Sequence, residues 1–118
     1  MGILFKVHQE LGGRHQEKHY QRAIAKCLED EKINFGREIP IDLEFEDTKI
    51  GKYFLDFLIE NKIVLEVKAI PRLNISDFRQ ISSYLRTKRL KLGIIANFRG
   101  LRLIYKRVIN PEFDKINS

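Results

Sequence analysis

Two apolar runs separated by three residues constrain this chain more than any other feature. The first reads Tyr53-Phe54-Leu55-Asp56-Phe57-Leu58-Ile59 and the second Ile63-Val64-Leu65-Glu66-Val67-Lys68-Ala69. Nearly continuous apolar runs of this length suggest strands covered on both faces. Glu60-Asn61-Lys62 then joins them as a hairpin. A three-residue loop pairs Ile59 with Ile63, and the same register sets Asp56 opposite Glu66. Opposed residues share a face, with Cβ atoms about 5 Å apart. Side chains alternate along a strand, so Lys68 joins Glu66 on that face and Val67 points away. A two-residue loop would send one set to the far side.

Three ionisable groups in strands built for burial are expensive unless they pair or bind a cation. Two carboxylates this close repel, and one pKa rises unless a cation intervenes. A hard divalent cation such as magnesium, or manganese, takes oxygen ligands. Asp56, Glu66 and the backbone carbonyl of Val67 could supply them. Lys68 could then orient an attacking water or stabilise charge on a phosphate. Such a set suits activation of water on a phosphodiester. The same residue types also suit a structural acid–lysine network at a sheet edge, and residue type alone does not separate the two.

The rest of the chain supplies a frame for these strands. Gly12-Gly13 precedes a helical pattern over residues 14–32, in which Tyr20, Ile24, Cys27 and Leu28 form one apolar stripe. Glu17 lies on that stripe, where a solvated glutamate would not sit, and is the candidate third acid. Residues 39–45 alternate as a half-exposed strand, with a turn at Glu46-Asp47-Thr48-Lys49. Asn74 or Ser76 can cap a second helix running to Arg89, with Phe78, Ile81 and Leu85 facing inward. Residues 92–96 and 101–108 give two more strands. The predicted order is α-β-β-β-α-β-β, an α/β sandwich with a central mixed sheet flanked by helices.

A chain of 118 residues is expected to be a single domain. Its 43% hydrophobic content supports one core, and its 32% charged residues are mixed in sign, which argues against disorder. The net charge of +6 and pI near 9.5 invite polyanions or serve solubility. One cysteine, Cys27, rules out a disulfide framework and points to a reducing cytoplasm; its place on the apolar stripe makes it a core residue. No run is long enough for a membrane span, and Met1-Gly2-Ile3-Leu4-Phe5 is too short for a signal-peptide core. Residues 110–118 read as a flexible tail.

Asp56 followed by Glu66-x-Lys68 resembles the PD-(D/E)XK nuclease superfamily. Within it, the chain resembles the short GxxExxY family. The resemblance runs through Leu11-Gly12, Glu17-x-x-Tyr20, Ile39-Pro40, Ile50-Gly51-x-Tyr53-x-x-Asp56-Phe57-Leu58-Ile59 and Leu65-Glu66-Val67-Lys68-Ala69. It continues through Gln80-Ile81-x-x-Tyr84-Leu85-Arg86, Lys91-Leu92-Gly93-Ile94-Ile95, Asn97-Phe98 and Lys106-Arg107-Val108-Ile109, covering residues 10–109. The acid–lysine motif alone is weak; the ordered set is specific. One position departs: Arg14 stands where the family usually has glycine, three residues before Glu17.

The resemblance implies a restriction-endonuclease-like fold and magnesium-dependent phosphodiester hydrolysis. Glu17, Asp56 and Glu66 map to metal-binding positions and Lys68 to the catalytic lysine. Gln80 and Tyr84 match a pair on the second helix that supports the site or meets nucleic acid in some members; packing and exposure are the plainer alternative. Arg14, Arg72, Arg79 and Arg86, with Lys88, Arg89 and Lys91, suit a phosphate-tracking face or a merely solvated one. Phe98 could stack on a base, and His15 with His19, one turn apart, could bind a transition metal. DNA is the favoured substrate, and short junction-resolving members keep branched DNA in play. A homodimer would enlarge the small footprint. The rivals are a non-catalytic nucleic-acid-binding module and a protein-interaction domain on the same fold.

Overall fold

Apolar spacing and turn chemistry resolve into eight elements in a computed structural model that describes residues 1–113. Helices α1 (Gly2–Leu11) and α2 (Glu17–Asp30) come first, then strands β1 (Phe35–Phe45), β2 (Thr48–Ile59) and β3 (Ile63–Lys68). Helix α3 (Ile75–Lys88) leads to β4 (Leu92–Asn97) and β5 (Ile104–Ile109). The sheet runs β1-β2-β3-β4-β5. Only β3 and β4 pair in parallel, with α3 as their crossover; the other neighbours are antiparallel. The expected mixed sheet flanked by helices is present.

Several boundaries differ from expectation, and β5 begins at Ile104 rather than at residue 101. Helix α1 was not predicted, although Leu4, Val7, His8 and Leu11 recur at helical spacing. It is short and has no side-chain cap, so its stability comes from packing on α2 rather than from local signals. Helix α2 starts at Glu17 rather than residue 14, because Gln16 is its cap and the Gln16 N–H donates to His19 Nδ1 at 3.2 Å. Arg14 therefore lies in the loop before it. The β1–β2 hairpin is longer than expected, since Glu46 and Asp47 both take left-handed φ (50° and 62°) and close it in two residues.

The sheet separates two core layers. Beneath α1 and α2 lie Tyr20, Ile24, Leu28, Phe57, Leu65, Val67 and Phe98. Beneath α3 lie Leu55, Val64, Ile81, Leu85 and Ile95. Cys27 packs against the first layer, as expected. Phe98 is fully buried and stacked on Tyr20 at 4.5 Å between ring centroids, so it cannot stack on a base. Asn110, expected to begin a loose tail, is buried: its amide donates to the carbonyls of Leu85 and Leu90. The Glu112 N–H in turn donates to Asn110 Oδ1, and only residues 114–118 of that expected tail lie outside the described residues.

The long strands change faces midway. Phe57 and Ile59 serve the α1–α2 layer, whereas Tyr53 and Leu55 serve the α3 layer. Regular alternation would keep all four on one side. On β1, Phe35 and Ile39 divide in the same way. The residues at the switch are Asp56 and, across from it, Glu38, which has a left-handed φ of 51°. The hairpin is therefore kinked at Asp56.

Candidate active site

The kink opens the sheet where the acids are. Strand β2 pairs with β3 at Ile59–Ile63, Leu58–Val64 and Phe57–Leu65, the register expected from the loop length. Continued by one residue it would join Asp56 to Glu66, but the backbone ladder stops there. Side chains take its place. The Asp56 N–H donates to Glu66 Oε1 at 2.8 Å, and the Val67 N–H donates to Asp56 Oδ2 at 2.7 Å. Each carboxylate thus satisfies a backbone donor that the diverging strands leave unpaired.

Glu66 is 3% exposed. Burial, and then the charge of Asp56 beside it, push its carboxyl up to about 7. Burial also raises the Asp56 carboxyl, opposed by the Val67 N–H and the charge of Lys68. Glu66 Oε2 accepts a hydrogen bond from the Tyr53 hydroxyl at 2.8 Å. Burial and the Glu66 charge push the Tyr53 phenol well above its ordinary range.

Lys68 follows Glu66 on the α3 side of β3. Its Nζ lies 3.7 Å from Asp77 Oδ1, and both side chains are largely sheltered. Asp77 is also part of the cap of α3, since its Oδ2 accepts from the Asn74 N–H at 2.9 Å. The segment after Lys68 is pinned by Asn97, whose side chain bonds both the N–H and the carbonyl of Ile70.

Glu17 reaches the site from the other layer. It stands half-buried in the first turn of α2, and its charge helps raise the Asp56 carboxyl, with no hydrogen bond between them. The loop that delivers it is tightly held. The Tyr20 hydroxyl donates to the Gly12 carbonyl and accepts from the His15 N–H. Gly13 packs on Gly100 so closely that a Cβ there would lie 2.2 Å from the Gly100 carbonyl oxygen. The close approach demands glycine at Gly13, whereas Arg14 in the next position is exposed.

A single divalent cation is commonly held by one or two carboxylates together with water and substrate phosphate. Among the described residues no three acid, histidine or cysteine side chains gather into a metal-binding group. Asp56 and Glu66 nonetheless fit a hard cation. Both are oxygen donors with lone pairs to spare, and a cation would offset the repulsion between their charges. The His15 and His19 rings stand edge to face at 5.6 Å, with His19 Nδ1 occupied by the cap.

Residues 1–108 match the sequence profile of the PD-(D/E)XK nuclease superfamily. The chain belongs to this superfamily. No curated protein matches it. Among solved structures it is similar to "Crystal structure of SSO0001", with a TM-score of 0.60 and 18% identity. That likeness, which supports the restriction-endonuclease-like fold, covers 80% of this chain and 50% of the other, so this chain spans about half the length of that neighbour. PD-(D/E)XK nucleases commonly use divalent metals. Among the described residues no helix is long and apolar enough to cross a membrane.

The remaining expected residues divide. Gln80, on α3, is exposed, and Tyr84 is buried, so packing accounts for much of the latter. Arg14, Arg72, Arg79 and Arg86 are all exposed. Sequence reasoning missed Tyr53 and Asp77 as partners of the acid and the lysine, and Arg37, whose charge steadies Asp56 and whose guanidinium lies 5.4 Å over Phe57. A tyrosine on a buried strand and an acid in a helix cap have ordinary explanations, which hid their place in the site.

Proposed function

We propose that this chain is a divalent-metal-dependent nuclease that hydrolyses phosphodiester bonds in DNA, branched or structured DNA included. The observation that carries this reading is the meeting of the Asp56 and Glu66 carboxylates where the β2–β3 ladder opens, with Lys68 on the same strand. Asp56 and Glu66, with the Val67 carbonyl, would hold magnesium or manganese, and Glu17 would reach the ion through a water. The bound ion would activate water and offset charge on the phosphate. Lys68, released from Asp77 by an arriving phosphate, neutralises negative charge at the reacting centre. Tyr53 and the Asp56 N–H hold the Glu66 carboxylate in place. Arg14, Arg72, Arg79 and Arg86 neutralise backbone phosphates, and Gln80 with Tyr84 supports the strand side of the site. The motif set from Leu11 to Ile109 supports a place in the GxxExxY family. Cys27, unpaired, fits a cytoplasmic setting, and a homodimer would bring a second site to the other strand.

The second reading is a non-catalytic nucleic-acid-binding or protein-interaction module. It is favoured by the satisfied network itself: both Glu66 oxygens accept hydrogen bonds and Lys68 already has Asp77 as a counter-ion. Calorimetric titration with magnesium and manganese separates the two. The nuclease reading expects binding that is lost in Asp56→Ala, together with metal-dependent cutting of supercoiled, single-stranded or four-way-junction DNA. Absence of cutting on all three, with metal bound, moves the conclusion to the module.

A further inference from the structure

The β1–β2 hairpin outruns the sheet. Strand β2 has 12 residues, yet β3 pairs only with Phe57, Leu58 and Ile59. Among the described residues its outer half has no third strand beside it, and between it and α3 lies an open groove of about 700 Å³. Ile41 and Tyr53 line the hairpin wall; Arg79, Gln80, Ser83 and Thr87 line the helix wall. The inner end is marked by Tyr53, whose hydroxyl is bonded to Glu66. The groove therefore ends one side chain away from Glu66.

We infer that this groove receives one unpaired strand of nucleic acid and leads it to Asp56 and Glu66, an inference that rests on the nuclease reading. Size favours one strand. A cavity in the range of about 300–1,000 Å³ takes a ligand of one or two nucleotides. A duplex carries both strands and has a major groove of about 12 Å by itself, so it stays on the rim. The lining is also suited to a backbone. Gln80, Ser83 and Thr87 recur at helical spacing as a row of neutral hydrogen-bonding groups, with Arg79 and Lys88 at either end for phosphates. Ile41, with the buried Tyr84 behind it, offers apolar surface to a base. Asp42 and Glu44 lie on the hairpin side, and Asp42 is already paired with Lys49 at 3.2 Å.

The test is fluorescence anisotropy in EDTA, where no hydrolysis interferes, with a labelled single-stranded oligonucleotide and the blunt duplex of the same sequence. The wild-type chain is expected to bind the single strand about tenfold or more tightly than the duplex. Ser83→Trp fills the groove from an exposed position without changing charge. It should weaken single-strand binding about tenfold and leave duplex binding within about twofold. Thr87→Trp, also exposed, should do the same, so one misfolded variant, recognised by its melting curve, leaves the other to decide. Equal affinity for both nucleic acids in the wild type, or unchanged single-strand affinity in a folded tryptophan variant, overturns the inference. A chain that binds single strands through the groove but cuts nothing with magnesium ends the nuclease reading instead. A chain that cuts while both variants bind as wild type ends only this one.

Discussion

Replacing Glu66 by glutamine should stabilise the protein, and the amount should depend on pH. Glu66 is 3% exposed and its carboxyl is raised from an ordinary 4.5 to about 7, first by burial and then by the Asp56 charge. Below pH 4.5 the group is neutral in folded and unfolded chains, and its charge costs nothing. Between pH 4.5 and about 7 the unfolded chain releases the proton while the folded chain keeps it, so stability falls as pH rises. Above that window both states are ionised and the full cost remains. At about 1.4 kcal/mol per pH unit it comes to about 3 kcal/mol. Glu66→Gln keeps the shape and the hydrogen bonds: the amide oxygen can accept from the Asp56 N–H and the amide NH2 can donate to the Tyr53 oxygen. Urea denaturation in EDTA at pH 8 should show the variant about 3 kcal/mol more stable, with the gap shrinking to about 1 kcal/mol at pH 5. Added magnesium should narrow the gap at pH 8, because it stabilises only a chain that binds it. A variant no more stable than the wild type at pH 8 in EDTA would refute the claim that Glu66 carries a costly buried charge.

Four other outcomes can be checked. Lys68→Ala should keep metal affinity by calorimetry, since lysine offers no ligand oxygen, yet lose about 100-fold in cleavage rate; undiminished cleavage would remove Lys68 from the site. Asp77→Asn keeps an oxygen for the Asn74 N–H but drops the charge facing Lys68, so stability should change by about 1 kcal/mol or less while turnover falls about tenfold; equal turnover would make Asp77 a cap and nothing more. Gly13→Ala forces a Cβ onto the Gly100 backbone, and its urea midpoint should fall by the equivalent of about 1–3 kcal/mol; an unchanged midpoint would show that the two loops move apart freely. DNA affinity measured from 50 to 200 mM salt should drop steeply, by about 1,000-fold if several phosphates are neutralised, and a flat response would favour a protein partner.

Much of this was written locally. The apolar runs around Asp56 and Glu66 set two strands, the loop between them set Ile59 against Ile63, and that register brought the two acids together. The stripe of Tyr20, Ile24 and Leu28 set α2, and Glu17 on that stripe is drawn toward the core with it. These features follow from periods of two and of about 3.6 residues, which neighbouring residues suffice to reveal. Helix α1 escaped because a ten-residue helix without a cap depends on what it packs against. The kink at Asp56 escaped because it arises from two strands changing layers together, with Glu38 opposite.

The sequence by itself determined which residues could do chemistry and which strands carry them. Only the tertiary structure decided that the ladder would open at Asp56, that the carboxylates would take over its backbone donors, and that Tyr53 and Asp77 would hold Glu66 and Lys68. Asp77 is nine residues from Lys68 in the chain, and Tyr53 is 13 from Glu66. Their contacts form because α3 crosses back over the sheet and the hairpin turns toward it. The distance between two side chains there is set by the packing of whole layers, which no local spacing encodes.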